Sequence, residues 1–258
     1  MSKKTSDHPF DRFMTIVRRV RKECPWDREQ THQSIRHSLL EEAYEVIEAI
    51  DLRNSEELKK ELGDLLLHVA LHSVMAEEQK TFSIDDVVNG ETEKLVRRHP
   101  HVFGNAKAGS ADEVKANWER LKMTEGRESI LDGIPRELPA LLRAHRTQEK
   151  ASKVGFDWTN KSDVWKKVEE ELEEFHEAET GEDLNHLEEE LGDVLFSLVN
   201  YARFLNINPE QALSKTTEKF SKRFRHIEKE LRARGKKPEE AGLDEMDGLW
   251  NDFKHRSR

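Results

Sequence analysis

The chain has 258 residues, of which 37% are charged and 35% hydrophobic, and its formal net charge is -10. No stretch is apolar for long enough to span a bilayer, the N-terminus lacks the apolar centre of a signal peptide, and the single cysteine, Cys24, has no partner for an internal disulfide. A cytoplasmic protein with no membrane contact and no broad nucleic-acid surface is expected, which leaves room for a small basic pocket that takes a nucleotide.

Pro9 to Arg21 sets Phe10, Phe13, Ile16, Val17 and Val20 at helical spacing. Pro25, within Cys24-Pro25-Trp26-Asp27, breaks that helix. A second helix is predicted from about Thr31 to Ile50, with Ile35, Leu39, Ala43, Val46, Ile47 and Ile50 as its inward stripe. Glu41, Glu42, Glu45 and Glu48 lie beside or opposite that stripe. Asn54 with Glu57 reads as a capping box for a third helix, whose Leu58, Leu62, Leu65, Leu66 and Val69 point inward. Ser83 and Asp86 open a fourth, which stops at His99-Pro100. Residues 99–138 are irregular, punctuated by Gly104, Gly109, Gly126, Gly133 and Pro135, with one helical piece over about 112–123 carrying Trp118.

Pro139 is expected as the first residue of the next helix, which Gly155-Phe156-Asp157-Trp158 ends. Two acidic helical segments then face each other across Thr180-Gly181-Glu182-Asp183. Asn208-Pro209-Glu210-Gln211 starts a further helix towards Arg232, with Asn208 as cap and Gln211 completing the box. A short piece with Trp250 closes the chain. Nothing alternates like a strand, so the fold class is all-α. The expected organisation is two tandem helical bundles of four to five helices, 1–105 and 139–258, joined by a linker over 106–138 that holds a short helix.

The acids repeat. Glu42, Glu45, Glu61 and Asp64 recur 129 residues on as Glu171, Glu174, Glu190 and Asp193. Around them Glu61-Leu62-Gly63-Asp64-Leu65-Leu66 matches Glu190-Leu191-Gly192-Asp193-Val194-Leu195. Lys94, Arg97 and Arg98 recur 125 residues on as Lys219, Lys222 and Arg223. One EExxE in a Glu-rich chain is a weak signal; EExxE followed 19 residues later by ExxD, twice, is a strong one.

Helical positions three or four apart share a face, so each pair of acids is convergent. Four carboxylates at one point do not all stay ionised without a cation between them. Oxygen ligands suit Mg²⁺, with Mn²⁺ as substitute, and such a cation completes its shell with water and phosphate. Lys219, Lys222 and Arg223 supply the cationic half of a phosphate site. An acid of the first acidic helix (Glu170, Glu171 or Glu174) is the candidate general base. Trp250, or Phe156 with Trp158, is a candidate base stacker. The remaining acids, such as Glu169, Glu173, Glu177, Glu188 and Glu189, read from spacing alone as a solvated face. His68 and His72 lie one and two turns past Asp64 and are read as exposed or satisfied rather than as ligands. Glu-x-x-His pairs, which a di-iron bundle expects, are not what the repeat contains.

The chain resembles the MazG family of nucleoside triphosphate pyrophosphohydrolases in its two-domain form. The resemblance is carried by Cys24-Pro25-Trp26-Asp27 with Glu29-Gln30-Thr31, the two EExxE…ExxD pairs, and Arg97-Arg98-His99-Pro100-His101-Val102-Phe103. It continues in Val154-Gly155-Phe156-Asp157-Trp158 and in Glu218-Lys219-Phe220 with Arg223-Phe224. It implies Mg²⁺-dependent cleavage of nucleoside triphosphates, ribo and deoxy, to monophosphate and pyrophosphate, a homodimer, and a role in nucleotide-pool cleaning and alarmone control. It also implies that Glu171, Glu174, Glu190 and Asp193 ligate the metal, with Glu42, Glu45, Glu61 and Asp64 as a possible second site. Nucleotide contacts are implied for Lys167, Val168, Glu169, Glu170, Glu171, His186, Leu187, Glu188, Glu189, Asp193, Lys219, Lys222, Arg223 and Trp250. Asn200, two turns past Asp193, is added from spacing; its counterpart is Leu71, so the C-terminal half is expected to be the main catalytic one. The alternative is a helical interaction module with a structural or regulatory metal site.

Overall fold

The computed structural model describes residues 8–110, 128–256 and, between them, 113, 114, 117, 118 and 121. The expected helical piece at 112–123 lies largely outside the described residues. Among the described residues there is no strand, as expected for an all-α chain. The chain divides into two compact units, Met1–Gly109 and Ser110–Arg258.

In the first unit α1 (Pro9–Glu23) and the short α2 (Pro25–Glu29) lead to α3 (Arg36–Asp51), α4 (Ser55–Glu78), α5 (Ile84–Arg98) and α6 (Pro100–Phe103). α4 packs on α3, α1 and α5. α3 begins at Arg36 rather than Thr31. Residues 31–34 form a turn instead, in which the Ser34 hydroxyl accepts from the Thr31 amide at 2.8 Å and the Thr31 hydroxyl from the Ser34 amide at 3.1 Å. Asn54 caps α4 by accepting from the Glu57 amide at 3.2 Å. The Glu57 carboxylate turns to Lys60 at 2.9 Å instead of back to Asn54, so the box is only half made. Ser83 and Asp86 make the full reciprocal box at the start of α5.

The first core gathers Met14, Val17, Ile35, Ala70, Leu71, Val74, Met75 and Ile84, with Phe10 and Phe13 against it. Arg21 is buried beside it and spans the gap between α1, α2 and α4. Its guanidinium donates to the Gln30 carbonyl at 2.9 Å and to the Glu78 carboxylate at 2.9 Å, and also meets the Asp27 carbonyl. The inward stripe expected on α4 is only partly inward: Leu58 and Leu65 are half-buried, whereas Leu62, Leu66 and Val69 are exposed, as are Leu39, Ile47 and Ile50 of α3 and Ile16 and Val20 of α1. Periodicity finds an apolar face without saying what covers it.

In the second unit α7 (Ala140–Ser152), α8 (Lys161–Ala178), α9 (Leu184–Phe204), α10 (Pro209–Ala233) and α11 (Leu243–Arg256) follow in order. Pro139 serves as the N-cap residue of α7, one position earlier than expected. Asn160 caps α8, accepting from the Asp163 amide at 3.1 Å, and Asp183 caps α9, accepting from the Asn185 amide at 3.0 Å. α8 and α9 form an antiparallel hairpin against which α7 packs. Asn208 caps α10 with Pro209 in its first turn. Ile227, Leu231 and Leu249 form a small core with Met246 and Trp250 against it. Lys150, also buried, donates to the carbonyls of Ile130 at 3.0 Å and Asp132 at 2.7 Å, which ties the segment before α7 to the bundle.

Candidate active site

The α8–α9 hairpin brings Glu171, Glu174 and Glu190 together, each with a carboxylate oxygen within 4.8 Å of the others. Helical pitch explains it: Glu171 and Glu174 share a face of α8, and the capped start of α9 sets Glu190 opposite them. Asp193 is exposed, one turn further along α9, and is not in that close set.

The trio is electrostatically uneven. Glu171 is buried, and Lys167 reaches it at 2.8 Å and Glu170 at 2.6 Å, which raises the Lys167 ammonium pKa well above its usual range. The Glu174 carboxyl is pushed up, first by desolvation and then by the charge of Glu171. Glu190 Oε1 faces His186 Nδ1 at 3.5 Å, whereas its Oε2 is buried without a hydrogen-bond partner. A buried carboxylate oxygen left bare is costly, and it fits a cation held by oxygen ligands.

Two cavities flank the trio. One, of about 420 Å³, is walled largely by apolar groups of Phe156, Trp158, Val164 and Phe196, and reaches Lys167, Glu171, Asp193 and Asn200. The other, of about 440 Å³, is bordered by Glu174, Glu177, Asp183, His186 and Glu190. At the first, Asp157 grips Arg203 through both carboxylate oxygens, at 2.9 and 2.5 Å, and Arg203 Nε donates to Asn200 Oδ1 at 3.0 Å.

The other expected contact residues are placed unevenly. Val168 is fully buried and serves the core. Glu169 accepts from the Trp165 indole at 2.8 Å, and Glu188 and Glu189 are exposed while Leu187 is half-buried. Lys219 and Lys222 are exposed on α10 and form no ion pair with the trio. Arg223 lies over the Trp250 ring at 5.0 Å, and Trp250 also meets Phe220 at 5.2 Å, so Trp250 anchors α11 on α10. Sequence reasoning missed Gln148, Arg203 and the cavity they border; the only signal was polar residues inside otherwise apolar helical stripes.

In the first unit Glu42, Glu45 and Glu61 converge in the same way. Glu61 is 2% exposed, Lys60 donates to its Oε1 at 2.8 Å, and its Oε2 has no partner. The close approach of Glu61 pushes the Glu45 carboxyl up. The surroundings differ. Ile35, Leu71 and Val74 stand where the second unit has Val164, Asn200 and Arg203, and all three are buried in the core. His68 and His72 are not in the acid trio; His72 Nδ1 meets His32 Nδ1 at 2.8 Å with the two rings stacked.

The family model for the MazG nucleotide pyrophosphohydrolase domain matches residues 30–103 and 160–228, the segments that carry the two trios. A nucleoside triphosphate pyrophosphohydrolase/pyrophosphatase MazG of Thermotoga maritima is 44% identical over 250 residues, 95% of each chain. A nucleoside triphosphate pyrophosphohydrolase of Escherichia coli K12 is 43% identical over 256 residues, 96% of this chain and 97% of that one. One of Mycolicibacterium smegmatis is 39% identical over 148 residues, 55% of this chain and 45% of its own. With matching domains in both halves and relatives aligned end to end, the chain belongs to the MazG nucleotide pyrophosphohydrolase family.

Proposed function

We propose that this enzyme is a nucleoside triphosphate pyrophosphohydrolase whose second unit does the chemistry, using Glu171, Glu174 and Glu190, with Asp193 beside them, to hold Mg²⁺ or Mn²⁺. The observation that carries the reading is the convergent trio with its bare Glu190 oxygen, set against a cavity that also borders Asp193 and Asn200. A divalent ion bound there supplies Lewis acidity and offsets phosphate charge. Lys167 neutralises Glu171 in the unliganded fold and is in reach of a phosphate once a cation takes over that role. Glu170, outside the close set and held near it by Lys167, is the acid left to accept the proton of the attacking water. Lys219 and Lys222 are exposed and make no ion pair among the described residues, so they are the cations assigned to the outer phosphates.

The substrates on this reading are ribo- and deoxynucleoside triphosphates broadly, and the role is nucleotide-pool cleaning in the cytoplasm, with alarmone control as a consequence. Among the described residues no helix is long and apolar enough to cross a membrane. A homodimer is supported by the exposed row Leu191, Leu195 and Leu198 on α9, which repeats the exposed Leu62, Leu66 and Val69 on α4. Incubation with mixed nucleoside triphosphates and Mg²⁺ tests the reaction: monophosphate plus pyrophosphate is expected. Orthophosphate would mean cleavage at a different bond, and unchanged nucleotides would favour an interaction module.

A further inference from the structure

In the first unit a cavity of about 600 Å³ opens between the second half of α1, the short α2 and the end of α4. Four cations border it: Arg18, Arg21 and Lys22 from α1 and Arg28 from α2. Two acids of α4, Glu77 and Glu78, border it as well, and both are engaged. Glu77 accepts from Arg18 Nε at 3.2 Å and from its Nη2 at 2.9 Å. Glu78 accepts from Arg21 Nε at 3.1 Å and from its Nη2 at 2.9 Å. The Nη1 of Arg21 donates to the carbonyls of Asp27 and Gln30.

Lys22 and Arg28 are exposed and make no ion pair among the described residues. Four cations against two acids leave the lining positive, in a chain whose net charge is -10. Asp85, whose charge Arg18 also feels, is not among the residues that border the cavity. The last turn of α1 accounts for Lys22, since a helix C-terminus favours a cation. It does not account for Arg28, which reaches the same space from a different helix. Glu77 and Glu78 fix Arg18 and Arg21 in place as a frame, and Lys22 and Arg28 are left to close on an anion. A phosphate chain offers oxygens to both at once, through charge-assisted hydrogen bonds. Val74 is the apolar residue at the wall, so the space selects for charge rather than for a ring or an acyl chain.

We propose that this cavity of the first unit is a site for a small polyphosphate anion, bound by Lys22 and Arg28 against the frame of Arg18 and Arg21. It needs neither a divalent cation nor the acid trio of either unit. Free pyrophosphate and the phosphate chain of a nucleotide share this chemistry. Occupancy stabilises the packing of α1 and α2 on α4, which ties the first unit to the concentration of such anions.

The test is binding of inorganic tripolyphosphate to the full chain, read by calorimetry and by hydrogen exchange. Protein and buffer are stripped of divalent ions, so that the bare carboxylate trios repel phosphate. Saturable binding is expected. At about ten times its dissociation constant, the anion should slow exchange of the α1 and α2 amides about 10-fold. Lys22→Gln and Arg28→Gln should each weaken binding about 10-fold. Arg12→Gln removes a cation exposed on α1 outside the cavity and should leave binding within about twofold. ATP should bind no tighter than tripolyphosphate, since Val74 gives a base no ring to stack on. Much tighter binding of ATP would reassign the cavity to a nucleotide and overturn the inference. So would no binding without divalent ions, an equal loss from Arg12→Gln, or protection on α8 and α9 instead of α1 and α2. None of these readouts involves turnover, so failure here and failure of hydrolysis are separate results.

Discussion

Beside Glu171, the positions held by Val164, Asn200 and Arg203 border an open cavity; beside Glu42, the matching Ile35, Leu71 and Val74 close into a core with Met14 and Met75. The two units thus share a carboxylate trio and differ in what stands next to it. The trio is set by helical pitch and survives any neighbour that leaves α3–α4 or α8–α9 in place. The cavity needs polar side chains satisfied inside a helical bundle, and Leu71 and Val74 have no polar atoms to offer. The carboxylate trio is thus common to both units, while the residues beside it line a cavity in one and join the core in the other.

The largest expected effect comes from removing the cation. Chelation of divalent ions should lower pyrophosphate release by about 100-fold or more, and Mg²⁺ or Mn²⁺ should restore it, read in a coupled pyrophosphate assay. Exchanging the discriminating pair sharpens the comparison. Leu71→Asn buries an amide in the first core and should destabilise that unit by about 2–4 kcal/mol in denaturant melts, with no gain in turnover. Next in size are the two buried cations, which do parallel work. Arg21→Met strips the Gln30 carbonyl and Glu78 of their donor, and Lys150→Met strips the carbonyls of Ile130 and Asp132. Each should cost about 2 kcal/mol in its own unit, resolved by hydrogen exchange of the two units separately.

The smallest effect is a pH dependence. Burial, with His32 and His68 adding to it, holds the His72 imidazole below its ordinary range. His72 is thus neutral in the fold and takes up a proton on unfolding in acid. Stability should be unaffected above about pH 6.5 and should fall as the pH drops from there towards the lowered folded value. His145 is depressed by burial in the second unit as well, so His72→Leu should flatten the acid slope of the first unit only.

Much of this was legible from the residues. The repeat singles out four acids in each half, of which three converge in the fold, and Asn54, Ser83 and Asn208 mark helix starts because a cap bonds its own next turn. Asn200 against Leu71, a difference visible from spacing alone, falls at the point where the surroundings of the two trios diverge. Gln148 and Arg203 were not legible, because Phe196 and Asp157, the groups that give them roles, lie 48 and 46 residues away in sequence. Trp250 looked like a base stacker because it is aromatic and near a basic triplet; its partners Phe220 and Arg223 lie on the helix it packs against. The spacing of the outward Leu62, Leu66 and Val69 reads as inward because amphipathic spacing is the same for a core and for an interface.

The claim that the second unit carries the reaction is tested most directly by Glu171→Gln and Glu42→Gln, each assayed for pyrophosphate release with Mg²⁺ and a nucleoside triphosphate. Glu171→Gln should lose about 100-fold or more while Glu42→Gln stays within about threefold of the wild type. Loss of release from Glu42→Gln, with Glu171→Gln still active, would contradict the account.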